Sequence, residues 1–193
     1  MSLAAFQSAL ARMVNDVNFR EDVRTGGAAL GAFELDERET RRLRSASADP
    51  GLALTGTLVR SFRLGKVLTL LPMTRTLIGD ARLGQEVRCF WAAQPPRSFY
   101  ALEEAIAFAD YLMNRQWANP FAPEVIGFER ALLELRRVRP EGEPAAAQEI
   151  VFRHDPRTVL GPLQAGRRPA KRVRTRPFVV KASLDEHGEV VWE

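Results

Sequence analysis

A chain of 193 residues with 46% apolar side chains is long enough for one domain, or a main domain with a small appendage, burying roughly 70% of its extended surface. Its single cysteine, Cys89, excludes an internal disulfide, and with only His154 and His187 besides, a metal site made from the chain's own thiols and imidazoles is not expected. The net charge of +4 is concentrated in one place: Arg167, Arg168, Lys171, Arg172, Arg174 and Arg176 form an acid-free run, and without it 22 basic residues face 24 acidic ones.

The first residues lack a positive segment ahead of an apolar stretch, so no signal peptide is expected. The most apolar segment, Val67 to Ile78, is interrupted by Thr69, Pro72, Thr74, Arg75 and Thr76, which argues against a membrane span. A cytoplasmic, reduced and soluble protein is expected.

In chain order, Leu3, Phe6, Leu10, Met13 or Val14 and Val17 recur at helical spacing after Ser2, predicting one amphipathic helix. Gly26 and Gly27 break the pattern, and Asp36 with Glu39 reads as a capping box opening an Arg-rich helix to about Ser45. Asp49, Pro50 and Gly51 read as a turn. A long helix is predicted over Leu54 to Gly79, kinked at Pro72, where a donor is lost and the ring meets the preceding turn. Further helices are predicted over Asp80 to Ala93, Phe99 to Trp117, and from Pro123 to about Arg139.

Pro140 to Ala147 reads as a linker, after which the apolar period changes from 3.6 to 2. Glu149 to His154 is a predicted strand. Asp155 and Pro156 are the cap and first residue of a short helix presenting Val159, Leu160 and Leu163. Phe178 to Leu184 and Val190 to Trp192 complete a hairpin through Asp185, Glu186, His187 and Gly188. The expected class is α+β: a helical domain over residues 1–139 and a small antiparallel β module with one short helix over 148–193.

Few residues offer chemistry. Cys89, between Val87 and Phe90, reads as a small buried hydrophobe. His154 beside Asp155 reads as structural, Glu103 and Glu104 as a solvated face with diverging carboxylates, and the glycines do not make a phosphate-binding fingerprint. A three-stranded sheet has open edges, whose unpaired main-chain groups an extended peptide can complete, unless the edge is covered or blunted by Lys181. The basic run is either a charge attractor for an acidic ligand or a solvated loop. The basic residues Arg60, Arg63, Lys66 and Arg75 on the long helix either snorkel to solvent or meet an acidic partner surface.

The segments TLVRSFRLGKVLTLLPMTRTLIG (57–79), FWAAQPP (90–96), EEAIAFADYL (103–112), FAPEVIGFERALLELR (121–136) and VFRHDPRTVLGPLQAGRRP (151–169) occur in this order over most of the chain. Together they resemble the small partner subunits of TIM-barrel, multinuclear-iron peptide-modifying oxygenases, above all the partner subunit of methanobactin biosynthesis. The resemblance implies a heterodimer whose large subunit holds the iron, while this chain binds no cofactor. It also implies that the leader of a precursor peptide adds as a strand to the small subunit's C-terminal sheet, bringing a cysteine to the iron for conversion to oxazolone and thioamide groups. On that expectation Phe178, Val179, Val180, Lys181 and Ala182 pair with the leader, Arg168, Arg172, Arg174 and Arg176 supply charge, and Arg60, Arg63, Lys66 and Arg75 face the partner. Two alternatives stay open: a DNA-binding protein using residues 167–176, with a salt slope of about −5 if all six cations met phosphates, and the helical small subunit of a ring-cleaving dioxygenase, which LARMVNDVNFREDVR (10–24) and FELDERE (33–39) also resemble.

Overall fold

Asp16 divides the first predicted helix in two. In the computed structural model, which describes residues 3–94, 100–137, 147–171, 173–185, 187 and 190–193, helix α1 spans Leu3–Asn15 and helix α2 spans Val17–Arg24. The Asp16 carboxylate accepts the Phe19 N–H at 3.0 Å and so caps α2, the competition for main-chain donors that places short acidic residues at helix starts. A 3-10 turn covers Ala28–Ala32, its Ala29 N–H held at 2.8 Å by the Asp22 carboxylate. Helix α3, Glu37–Ser47, opens on the expected capping box: Asp36 accepts from the Glu39 N–H at 2.7 Å, and Glu39 accepts from the Asp36 N–H at 3.0 Å. The turn expected at Asp49 to Gly51 is instead the start of helix α4, Pro50–Leu70, with the Asp49 carboxylate accepting the Gly51 N–H at 2.7 Å. Proline suits a first helical turn because its missing donor would have had no partner there.

Two compact units result, residues 1–64 and 65–193, divided within α4. In the first, Ala9, Met13, Phe19, Val23, Leu30 and Leu43 form the buried cluster, and Phe33 meets Phe19 edge-on at 5.8 Å between ring centres.

The second unit begins with the end of α4 and a break. Leu71 adopts φ −124° and ψ 57°, and helix α5 runs Pro72–Ile78. The proline ring excludes helical geometry from the residue before it, so the chain starts a new helix where a kink was expected. Gly79, at φ +94°, then turns the chain into helix α6, Asp80–Ala93, a conformation that costs glycine little and other residues more. Helix α7 spans Ala101–Met113 and helix α8 Ala122–Leu135. Strand β1 (Gln148–His154), helix α9 (Pro156–Gln164), strand β2 (Thr175–Leu184) and strand β3 (Val190–Trp192) complete the α+β fold. The Asp155 carboxylate caps α9 by accepting the Arg157 N–H at 3.0 Å. Residues 140–146 of the linker expected at Pro140 to Ala147 and, in the β2–β3 turn, Glu186 and Gly188 lie outside the described residues.

The sheet is antiparallel in the order β1-β2-β3. One face points inward: Phe152, Val180 and Ala182 are buried, and Phe152 and Trp192 meet Phe128 of α8 edge-on at 5.9 and 5.6 Å. The β module is therefore built onto α8 and does not form a separate domain from residue 148. Three short strands with one apolar face need a helix to cover it. Among the described residues no helix is long and apolar enough to cross a membrane.

Candidate functional site

The position of β2 decides what the sheet can offer a guest strand. β2 is the central strand, not an edge. Across to β1, Gln148 opposes Ala182, Ile150 opposes Val180, and Phe152 opposes Phe178. On the other side, the Lys181 N–H donates to the Glu193 carbonyl at 3.0 Å, and the Glu193 N–H donates to the Lys181 carbonyl at 3.1 Å. Main-chain groups of alternate residues turn to alternate sides of a strand. Phe178, Val180 and Ala182 therefore spend theirs on β1, and Lys181 on Glu193. Of the five residues expected to pair with a leader, this corrects four. Val179 turns its N–H and carbonyl to the same side as Lys181, two residues beyond the last described rung of the β2–β3 ladder, Lys181 with Glu193.

Thr175–Val180 thus forms an open half-edge of β2, with no described residue in register on that side. The β1–β2 register shifts between Phe152 and His154, so β2 carries one residue more than β1 around Arg176 and Pro177. A bulge is a place where a strand tolerates a residue without an N–H. On the solvent face Val151 opposes Val179, both about two-thirds exposed, and Glu149 opposes Lys181, an oppositely charged cross-strand pair. On the outer edge of β1 the Arg153 N–H donates to the Glu124 carboxylate at 3.0 Å, while Glu149 and Val151 turn their main-chain groups to that same outer side.

The described residues of the basic run differ in what they touch. Arg174 and Arg176 are exposed at the start of β2, where the Arg176 guanidinium lies 5.6 Å from the Phe178 ring centre. Arg168 turns away to donate to the Thr76 carbonyl of α5 at 3.3 Å. Arg172 lies outside the described residues.

The four cations expected at a partner surface have separate environments as well. In the first unit Arg60 donates to the Val14 carbonyl and Arg63 to the Asn15 carboxamide oxygen, each at 3.3 Å. Burial, and then the charge of Arg20, lower the proton affinity of Arg60 below the ordinary guanidinium value. In the second unit Arg75 closes two bonds of 2.6 and 2.8 Å on Asp80, holding that carboxyl below its usual range, while Lys66 is exposed on α4.

Four buried glutamates carry chemistry that the spacing of residues did not reveal. Glu129 of α8 lies 3% exposed and accepts the Met73 and Thr74 N–H groups of α5, each at 2.7 Å. Burial pushes its carboxyl up to about 7, against the opposing pull of those bonds. Glu124 accepts from Arg153 and meets His154 Nδ1 at 3.0 Å, with Phe121 edge-on to the imidazole at 4.8 Å, so the strand-end histidine has a structural role. Glu86 is clasped by Arg82 at 2.7 Å and Arg115 at 3.2 Å. Glu104 accepts the Trp91 indole N–H at 2.6 Å and is buried, whereas Glu103 pairs with Arg137; the solvated face expected for both is corrected for Glu104. The only hint in the sequence was that these glutamates interrupt apolar helical faces. Cys89 also departs from expectation, being exposed on α6.

Among the described residues no group of three or more His, Cys, Asp or Glu is placed to hold a metal ion. No protein-family model matches the chain, and neither a curated protein nor a solved structure matches it.

Proposed function

We propose that the chain is a noncatalytic partner subunit that holds an extended peptide for an iron-dependent peptide-modifying oxygenase, as the motif resemblance implies. The observation that carries this reading is the open half-edge of β2 at Thr175–Val180, continuing the line of β3 and bordered by the exposed Arg174 and Arg176. A guest strand laid there exchanges bonds with the Val179 N–H and carbonyl, while the two arginines attract acidic side chains on the guest. Tethering a precursor in this way makes the partner's reaction effectively intramolecular, which removes several kcal/mol of barrier when the geometry is right. The iron and the bond-making belong to the partner subunit in this reading, and the leader belongs to a ribosomally made precursor of a methanobactin-like copper chelator.

The test is calorimetric titration of the chain with a synthetic leader peptide of the methanobactin-precursor type. Val179→Pro removes the one open donor without touching the β1–β2 ladder, and is expected to weaken binding about tenfold or more. Arg174→Glu with Arg176→Glu is expected to weaken it further and to reduce its salt dependence. Unchanged affinity in Val179→Pro removes the half-edge from the mechanism. Duplex DNA binding with a steep salt slope, and no leader binding, moves the assignment to the nucleic-acid alternative.

A further inference from the structure

The N-terminus of α5 is held from another helix, through one carboxyl group. Glu129 reaches from α8 to the Met73 and Thr74 N–H groups, the donors that a helix start leaves without an intrahelical partner. Beside the same carboxyl lies the Thr74 hydroxyl, fully buried and without a well-formed hydrogen-bond partner. Among the described residues no cation joins the group. On the elements packed around α5 and α8, Arg75 is paired with Asp80, Glu86 with Arg82 and Arg115, and Asp110 with Arg130; Glu103 is paired with Arg137, Glu104 with Trp91, and Glu124 with His154, while Arg157 of α9 is exposed.

We propose that Glu129 is a proton-operated latch on α5: when neutral, its O–H donates to Thr74 Oγ1 while its other oxygen accepts main-chain N–H, keeping α5 seated; when ionised, it is a buried, cation-free carboxylate that favours opening. α5 forms one wall of an open groove of about 540 Å³ lined by Leu68, Thr69, Arg75, Thr76, Asp80 and Gly166. Opening the latch therefore reshapes that groove. The carboxyl titrates at about 7 in the closed form against an ordinary 4.5 once hydrated, so the closed form is most secure below pH 4.5 and loosens as pH rises to about 7, with little change beyond.

The experiment is native-state hydrogen exchange of the whole chain between pH 5 and 7.5, corrected for intrinsic rates. The opening constant read at the Met73 and Thr74 amides is expected to rise roughly fifty-fold over this range if opening fully hydrates the carboxyl, with Ile126 and Phe128 of α8 staying protected. Glu129→Gln is expected to abolish the pH dependence. A second measurement needs no variant: the Glu129 side-chain carbon resonance of the wild-type chain is expected to titrate near 7. The latch is refuted by a carboxyl midpoint below 5.5, by less than a threefold change at Met73 and Thr74, by the same change in Glu129→Gln, or by α8 amides opening in step with α5.

Discussion

The two units use carboxylates in opposite ways. In residues 1–64 the acids that bond to the main chain serve their own surroundings: Asp16 caps three residues on, Asp36 and Glu39 bond each other's N–H groups, and Asp49 and Asp22 reach two and seven residues ahead. In residues 65–193, beside local caps such as that of Asp155 on Arg157, several bonds are long in sequence: Glu104 to Trp91 spans 13 residues, Glu86 to Tyr111 25, Glu124 to Arg153 29, and Glu129 to Met73 56. The first kind sets where helices begin. The second ties finished elements together, and it requires the fold to exist before the bond can form. The contrast teaches that acidic residues of similar chemistry act as local punctuation in one unit and add tertiary fastening to that punctuation in the other.

The contrast is broken most severely by removing what the fasteners surround. Phe128→Ala takes away the ring that Phe152 and Trp192 pack against, and is expected to cost about 3–5 kcal/mol, confined to the unfolding transition of residues 65–193 in a urea titration followed by fluorescence. Next comes pH. Because the folded pKa of Glu129 lies above its ordinary value, the stabilisation this one group gives the second unit should be fully present below about pH 4.5 and fall by up to about 3 kcal/mol as pH rises to about 7; Glu129→Gln should flatten this part of the curve, as thermal melts across pH would show. The smallest expected effect is in the first unit: Asp36→Ala removes one half of the capping box and should cost about 1 kcal/mol there, leaving the second transition unmoved, in a urea titration followed by far-ultraviolet circular dichroism. A loss shared equally by both transitions in any of these would remove the distinction.

The same contrast explains what could be read from the sequence. The capping box at Asp36, the Asp155 cap with Pro156, helix α6 and strand β3 depend on neighbours a few residues away, and each lies where periodicity and capping chemistry put it. Asp16 and Asp49 failed for a local reason too: an acid next to an apolar period or a proline reads as continuation or turn, yet each caps a new helix. The central position of β2 was out of reach, because strand order is a non-local property and the pattern of Phe178 to Ala182 is the same on an edge or in the middle. That is why Val179 remains available at the candidate site while its four neighbours do not. Glu129 was invisible for the corresponding reason, its partners being on a helix far earlier in the chain.

Pro177 carries a consequence for how this molecule keeps company with itself. Copies stacking border to border, as fibrils do, need an unbroken ladder of rungs, and the open half of β2 presents a bulge with a proline in it, flanked by arginines. Homotypic growth therefore meets a missing rung and mutual repulsion at the same spot, leaving a sticky border that discourages its own kind from polymerising.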